Sequence, residues 1–257
     1  MSRTTRYVTG AGLVIGVLLM VAGVVLLIAP APEIRDQPLW GALFTQGIWI
    51  LLAFLGAVLS KPRSLGDRLG LGRGALPIST SLVLVVGFVA LSAGLHQWLV
   101  SLELRYTGSL GEIDAVVREA RARAPSFLLA LLALGIAPGF CEEVFFRGFI
   151  QRGLVPRLGA HCGVLLSAAI FGLAHFDLLH SSLAFLLGAY LGVVTQLAGC
   201  IRTAILCHML NNALGILAPA LIPNALAIGG TWAIPLLLAL AGGSLAYAIW
   251  RRRLPSW

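Results

Sequence analysis

Long apolar runs alternate along this chain with short polar or basic stretches. A helix of about 20 apolar residues is long enough to cross the hydrocarbon core of a bilayer. Eight such runs occupy residues 8–29, 40–60, 75–102, 127–150, 162–176, 182–197, 203–221 and 225–250. The pattern predicts an all-α fold, a polytopic membrane bundle of about eight transmembrane helices that forms a single integral membrane domain over residues 1–257.

The composition excludes a soluble protein. Of the 257 residues, 59% are hydrophobic and 11% are charged, and the mean hydropathy is +0.95. In soluble domains about a quarter of the residues are charged. The run at 8–29 is longer than the apolar core of a signal peptide, about 7–15 residues, so we interpret it as a retained first span. The cysteines have no CxxC spacing, and no disulfide framework is predicted.

Lys and Arg residues, which give the chain a formal charge of +8, flank the apolar runs. No basic run alternates with stacking aromatic residues, so the charge indicates membrane anchors and no nucleic-acid partner. With the N-terminus inside, the inner loops hold 12 Lys and Arg residues and the outer loops hold 5. The positive-inside rule then predicts that both termini are cytoplasmic. We expect the membrane to be a bacterial plasma membrane.

The longest polar stretch precedes the run at 127–150. Within it, residues 113–124 repeat apolar positions with helical periodicity. This predicts either an interfacial helix or a helical extension of the following span. A solvated loop helix is the alternative.

The first polar group inside an apolar run is Glu142-Glu143-Val-Phe-Phe-Arg147. Ionisable groups at the centre of a membrane helix cost roughly 2.5–3.5 kcal/mol even on lenient scales. Glu143 and Arg147 are i,i+4 neighbours and predict a structural ion pair, whereas Glu142 points about 100° away. An unpaired carboxylate that faces the bundle suits a general base. The alternative is that both Glu residues mark a helix end and Arg147 is an anchor.

The second group, Phe171-Gly-Leu-Ala-His175, places an aromatic ring four residues before an imidazole. Phe171 would wall one side of His175 and exclude water, although a packed core histidine fits as well. Asp177 and His180 are interpreted as interfacial. His175 lies about 20 Å into its span while the first group lies near a span end. A short, re-entrant-like span at 162–176 would reconcile the two depths.

The third group, His208-Met-Leu-Asn-Asn212, repeats the i,i+4 spacing. The amide of Asn212 is able to stabilise an oxyanion or to orient His208. Asn211 points to a different face. Polar residues also join helices in membranes without any catalytic role.

The ordered set EEVFFRG, FGLAH and HMLNN resembles the EExxxR, FxxxH and HxxxN motifs of the CPBP family, the CAAX-protease and bacteriocin-processing intramembrane endopeptidases related to the type II CAAX prenyl protease. The resemblance covers residues 127–221, which we expect to form the catalytic core helices. It implies peptide-bond hydrolysis within the membrane. It also implies that Glu142, His175, His208 and Asn212 are catalytic, and that Glu143 and Arg147 support them.

Metal use stays open at this point. Glu142, His175 and His208 are able to hold Zn²⁺ with an open fourth position. Alternatively, Glu142 and His175 activate water without a metal, while His208 and Asn212 stabilise the oxyanion. The groups do not form the HExxH zinc pattern, and we favour the metal-free version.

Two classes of function are compatible with these groups. The first is a membrane protease, glutamate- or metal-dependent, whose substrate is a membrane protein or peptide. The second is a non-catalytic immunity or scaffolding protein or a small transporter, because buried charges also serve ion pathways. A transporter more often has paired, broken helices in two halves, and no such duplication is visible.

Overall fold

The computed structural model describes residues 37–59, 64–102, 108–221, 231 and 233–252. The elements in these residues are all helices, as predicted: α1 (Pro38–Leu59), α2 (Leu65–Arg68), α3 (Ile78–Ser101), α4 (Gly108–Ala120), α5 (Ala124–Leu158), α6 (Ala160–Leu173), α7 (Leu178–Ala198), α8 (Arg202–Leu221) and α9 (Ala233–Arg252). The predicted span at 8–29 lies outside the described residues.

The predicted count of about eight spans is not confirmed. Within the described residues, five helices are long and apolar enough to cross a membrane: α1, α3, α5, α7 and α9. Helix α6 has 14 residues, about 21 Å, and is shorter than the hydrocarbon core of about 30 Å. Helix α8 has 20 residues but is not one of the five, and the side chains of its last four residues are not described. Over the described residues, the protein is an integral membrane protein with five candidate spans and one shorter apolar helix, α6.

Helix α5 is longer than the sequence predicts. It continues to Leu158, past the predicted end at 150 and through Pro156. Two of its segments, Leu131–Ile136 and Glu143–Gln151, are π-helical. Short π segments occur often at functional sites, and the second one here contains Glu143 and Arg147.

Helix α4 is separate from α5. It ends at Ala120, and α5 begins four residues later with a proline in its first turn. A proline is tolerated there because the first amide groups of a helix have no intrahelical partner. Val117 and Ala120 are buried, so α4 packs against the bundle on one face. The predicted continuous extension of the span at 127–150 is therefore wrong.

Two apolar cores lie side by side. The first is aromatic and joins α1, α5 and α6 through Trp49, Phe145, Phe146 and Phe171. Trp49 stacks on Phe145 with ring centroids 5.1 Å apart. The second core is mainly aliphatic and joins α3, α7, α8 and α9.

Residues 64–75, which we call the strap, hold α5, α7 and the start of α8 together at one end of the bundle. The backbone N–H of Ile201, next to the start of α8, donates to the carbonyl of Gly70 at 3.0 Å. The Nε–H of Arg152 in α5 donates to the carbonyl of Arg68 at 3.2 Å. This end of the bundle is held by main-chain contacts in addition to side-chain packing.

Candidate active site

The first two motifs lie at the same depth because α5 and α6 form an antiparallel hairpin. Glu143 lies 15 residues before the end of α5 (143 to 158), and His175 lies 15 residues after the start of α6 (160 to 175). Both separations correspond to about 22 Å. Ser167 Oγ donates to the carbonyl of Phe146 at 3.0 Å, so the two helices of the hairpin are in direct contact. The apparent mismatch of depths came from ending the predicted span at residue 150.

Glu143 and Arg147 form the buried ion pair that their spacing predicts. Arg147 Nη1 donates to Glu143 Oε1 at 2.6 Å, and the side chains are 1% and 0% exposed. Arg147 Nη2 donates to the carbonyl of Gly188 in α7 at 3.0 Å. The guanidinium carbon lies 4.4 Å from the ring centroid of Phe171. The arginine is therefore held by an acid, a carbonyl and an aromatic face, which lowers the cost of burying it.

Gln151 extends this contact by one further turn toward α7. Its Nε2 donates to the carbonyl of Gly192 at 2.9 Å, four residues after Gly188. A Cβ on Gly188 would lie 2.8 Å from Phe171 Cδ1, and one on Gly192 would lie 2.8 Å from Gln151 Oε1. Both glycines are required because the polar side chains of α5 occupy the space next to the α7 backbone. Small residues that allow such close approach are typical of helix contacts in membranes.

His208 bonds to the same carboxylate as Arg147. Its Nδ1 lies 2.9 Å from Glu143 Oε1, and the ring is largely buried. Glu143 therefore links α5 to α8 as well as pairing with Arg147, a role that sequence spacing did not indicate. The option that Asn212 orients His208 does not hold in this structure, because Asn212 Oδ1 instead accepts from Asn211 Nδ2 at 3.3 Å.

His175 lies in the turn just after α6. Its Nδ1–H donates to the carbonyl of Phe171 at 2.9 Å. Its ring meets the Phe171 ring edge-on with centroids 5.0 Å apart, as the spacing predicts. The ring of His208 also meets Phe171 edge-on, at 6.0 Å. Phe171 thus stands between the two candidate imidazoles.

The turn that carries His175 is braced by the start of α7 and the start of α4. The backbone N–H of His180 donates to Asp177 Oδ1 at 2.8 Å, and this bond lowers the pKa of Asp177 below its usual value. Ser109 Oγ lies 3.1 Å from His180 Nδ1. The His180 ring lies 4.3 Å from the His175 ring. Asp177 and His180, interpreted from sequence as interfacial, therefore support the position of His175.

Glu142 points to a different neighbour, as its 100° offset from Glu143 predicts. It is 8% exposed and makes no ion pair with any described residue. Its Oε1 accepts a hydrogen bond from Gln46 Nε2 of α1 at 3.1 Å. Gln46 belongs to none of the three motifs, although a glutamine inside the apolar run at 40–60 was an available signal.

The three candidate metal ligands are not gathered into one group among the described residues. In the described part of the chain, no three His, Cys, Asp or Glu side chains lie close enough together to hold one. Glu142, His175 and His208 are therefore not a formed ligand set, and Nδ1 of His208 is already engaged by Glu143. All four cysteines are free thiols outside any such group.

One comparison with known proteins gives a match. The family described as "Type II CAAX prenyl endopeptidase Rce1-like" matches residues 124–214. This segment begins at the first residue of α5 and contains all three motifs in order, so the resemblance noted from the motifs is confirmed over it. No curated protein and no solved structure matches the chain. The matched family is a family of proteases, which favours an enzyme over a transporter or a scaffolding protein.

Proposed function

We propose, from the Rce1-like match of residues 124–214, that this protein is an intramembrane endopeptidase that cleaves a membrane-associated protein or peptide. The observation that supports it best is the setting of the two imidazoles on either side of Phe171. Each ring uses Nδ1 for a fixed partner in the protein, and the two partners differ in charge. This difference gives the two rings different chemistry at Nε2.

His175 is set as a base. The carbonyl of Phe171 only accepts hydrogen bonds, so Nδ1 of His175 carries the proton. In the neutral ring the lone pair is then on Nε2, and no described residue occupies that atom. A neutral Nε2 is the usual base in acyl-transfer chemistry.

His208 is set as a donor. The carboxylate of Glu143 accepts from Nδ1 and offsets the charge of a protonated ring. A protonated ring presents a second N–H at Nε2, which is able to donate to a developing oxyanion. Arg147 donates to the same carboxylate oxygen, so the arginine and the glutamate offset each other's charge in a buried position.

The proposed reaction needs one water. Glu142 accepts one proton from it while its oxygen bonds to the scissile carbonyl carbon, and Nε2 of His175 accepts the second proton of the former water when the product acid ionises. His208 and Asn212 stabilise the oxyanion with N–H donors. The intermediate then collapses, the C–N bond breaks, and the proton returns to the leaving amine. Each step uses side chains of this protein alone.

The site assignment is tested in purified protein in liposomes with an internally quenched, lipidated peptide that ends in a CAAX sequence. We expect Glu142→Gln and His175→Ala to reduce kcat by about 10²-fold or more, the usual range for loss of a general base. Matched controls are Glu119→Gln and His161→Ala, which alter exposed side chains of α4 and α6. Wild-type turnover in both Glu142→Gln and His175→Ala would overturn the assignment.

We also propose that both termini are cytoplasmic and that the natural substrate is a signalling peptide, a bacteriocin precursor or another membrane protein. Reporter fusions after Gly74 and after Trp257 should then read as cytoplasmic, and a fusion near Gly111 as external. An internal reading at Gly111 would contradict the orientation. Comparison of new N-termini between cells with wild-type protein and cells with Glu142→Gln would identify the substrate.

A further inference from the structure

We propose that Gln46 positions both Glu142 and the water that Glu142 activates, an inference that rests on the proposed function. Gln46 lies in α1, outside the matched segment at 124–214 and outside all three motifs. Its amide has one group that binds the carboxylate and one group that is left for a ligand. The active site then includes a residue 96 positions away along the chain.

The first half of the argument is the hydrogen bond itself. Gln46 Nε2 donates to Glu142 Oε1 at 3.1 Å, and the two side chains are 6% and 8% exposed. A neutral amide satisfies one carboxylate oxygen without neutralising its charge. Glu142 is therefore held by a neutral partner and makes no ion pair with a described residue.

The second half is the unpaired oxygen of the same amide. Gln46 Oε1 is buried and has no hydrogen-bond partner among the described residues. A buried acceptor left without a partner destabilises the folded protein, so a ligand for it is favoured. The other carboxylate oxygen of Glu142 also accepts no hydrogen bond from a described residue. Gln46 Oε1 and Glu142 Oε2 are therefore both available to accept a hydrogen bond, and their side chains are already joined by the bond from Gln46 Nε2 to Glu142 Oε1.

A water molecule matches these two acceptors. It has two protons, and buried waters typically make about three hydrogen bonds. One proton would bind Glu142 Oε2 and the other Gln46 Oε1, which directs a lone pair of the water toward the substrate. In the reaction the first proton transfers to Glu142, the water oxygen bonds to the carbonyl carbon, and the carbonyl π pair moves to its oxygen. The second O–H bond stays intact and keeps its bond to Gln46.

Helix α1 is held firmly enough for this role. Trp49, one turn after Gln46, stacks on Phe145 with an interplanar angle of 26° and also packs on Phe146. Phe145 and Phe146 follow Glu142 closely in α5. The aromatic contact therefore fixes the distance between the amide of Gln46 and the carboxylate of Glu142.

The chain supplies a matched control for testing Gln46. Gln151 is also buried, also donates once through Nε2, and also has an unpartnered Oε1, but it bonds to the backbone of Gly192. Gln46→Met and Gln151→Met each replace a buried amide with an apolar chain of similar length. We expect Gln46→Met to lower kcat about tenfold or more with KM nearly unchanged, because positioning is lost and substrate contacts are not. Gln151→Met should lower the melting temperature and leave kcat of the folded protein near that of wild type.

An infrared measurement tests the contact without turnover. The difference spectrum between wild type and Glu142→Gln identifies the carboxylate band of Glu142. Gln46→Met should shift that band, and Gln151→Met should not. If Gln46→Met reduces the folded yield, kcat and the position of the carboxylate band are measured in Gln46→Asn instead. This variant keeps the amide but is one methylene shorter.

The outcomes separate the two proposals. An unshifted band, or wild-type kcat in the Gln46 variants while Glu142→Gln is inactive, would overturn the role of Gln46 and leave the proposed function standing. Wild-type kcat in Glu142→Gln with a shifted band would overturn the proposed function, and the role of Gln46 in holding water would fail with it, although the hydrogen bond would be real. Loss of kcat in Gln46→Met together with a shifted band supports both.

Discussion

Two helix contacts in this bundle both bring helices close together at glycines, but one uses charged side chains and the other uses neutral hydroxyl groups. Between α5 and α7, a buried glutamate, arginine and glutamine fill the space beside two glycines. Between α3 and α9, a glycine approaches a pair of hydroxyl groups in an otherwise aliphatic core. Both contacts use glycine to bring backbones together, but only the first one buries charge.

The hydroxyl contact is small and self-contained. Tyr190 OH donates to the carbonyl of Leu84 at 2.9 Å and lies 2.6 Å from Ser244 Oγ. Ser244 in turn donates to the carbonyl of Ala241 at 2.7 Å. No ionised group has to be compensated there. In the α5 contact, by comparison, the charges of Glu143 and Arg147 require His208, a backbone carbonyl and an aromatic face as partners. The α5 contact therefore needs more partners than the hydroxyl contact, because it buries charge.

The largest effect on stability should come from Arg147→Ala. The substitution leaves Glu143 buried without its cation, and breaking a buried pair costs about 3–5 kcal/mol. Thermal unfolding in detergent should show a large fall in melting temperature and in folded yield. The double variant Glu143→Gln/Arg147→Met removes both charges and should recover much of the loss. A melting temperature unchanged by Arg147→Ala would break the comparison, because the charged contact would then be no costlier than the neutral one.

Gly87→Ala should have the next largest effect. A Cβ at this position would lie 1.9 Å from Ser244 Oγ and 2.5 Å from Tyr190 OH, so α3 and α9 have to separate. Overpacking of this kind costs about 1–3 kcal/mol. The control is Gly242→Ala in α9, where a Cβ meets nothing within 4 Å. Equal melting temperatures for the two alanine variants would contradict close packing at Gly87.

Tyr190→Phe should cost about 1 kcal/mol, the net value of a typical hydrogen bond. The ring keeps its contact with Phe88, whose centroid is 5.5 Å away, and only the hydroxyl bonds are lost. Tyr247→Phe, at a partly exposed position of α9, serves as the control. A loss as large as that of Arg147→Ala would show that the neutral contact carries as much stability as the charged one.

Glu142→Gln should have the smallest effect on stability while it removes activity. The new amide oxygen still accepts from Gln46 Nε2, and a buried carboxylate without a cation is replaced by a neutral group. The melting temperature should therefore be equal or higher. If Glu142→Gln unfolds the protein and Arg147→Ala gives a stable but inactive one, the division of roles between the two glutamates is reversed.

The contacts that sequence predicts are local ones. The spacing of Glu143 and Arg147, and that of Phe171 and His175, gives neighbours on one helix face, and both contacts are present. The apolar runs also locate both ends of α1, α3 and α7 to within a few residues. For α5 and α9 they locate one end each, the start of α5 and the end of α9. In each case the partner lies one turn away or the signal is the mean hydropathy of the run.

Contacts between distant segments were not predictable in this way. His208 meets Glu143 across 65 positions, and Gln46 meets Glu142 across 96. Nothing in the spacing of a single helix indicates which face of another helix it meets. The length of α5 was also misjudged, because Pro156 and the basic residues near 152 resemble the end of a span while the helix continues past them.

The strap at residues 64–75 has a mechanical consequence. It holds α5 and the start of α8 together at one end of the bundle, because both donate hydrogen bonds to its backbone carbonyls. His175 and the start of α7 lie at the opposite end of the α5–α6 hairpin. We expect the helices to separate least at the end that the strap holds and most at the opposite end of the hairpin.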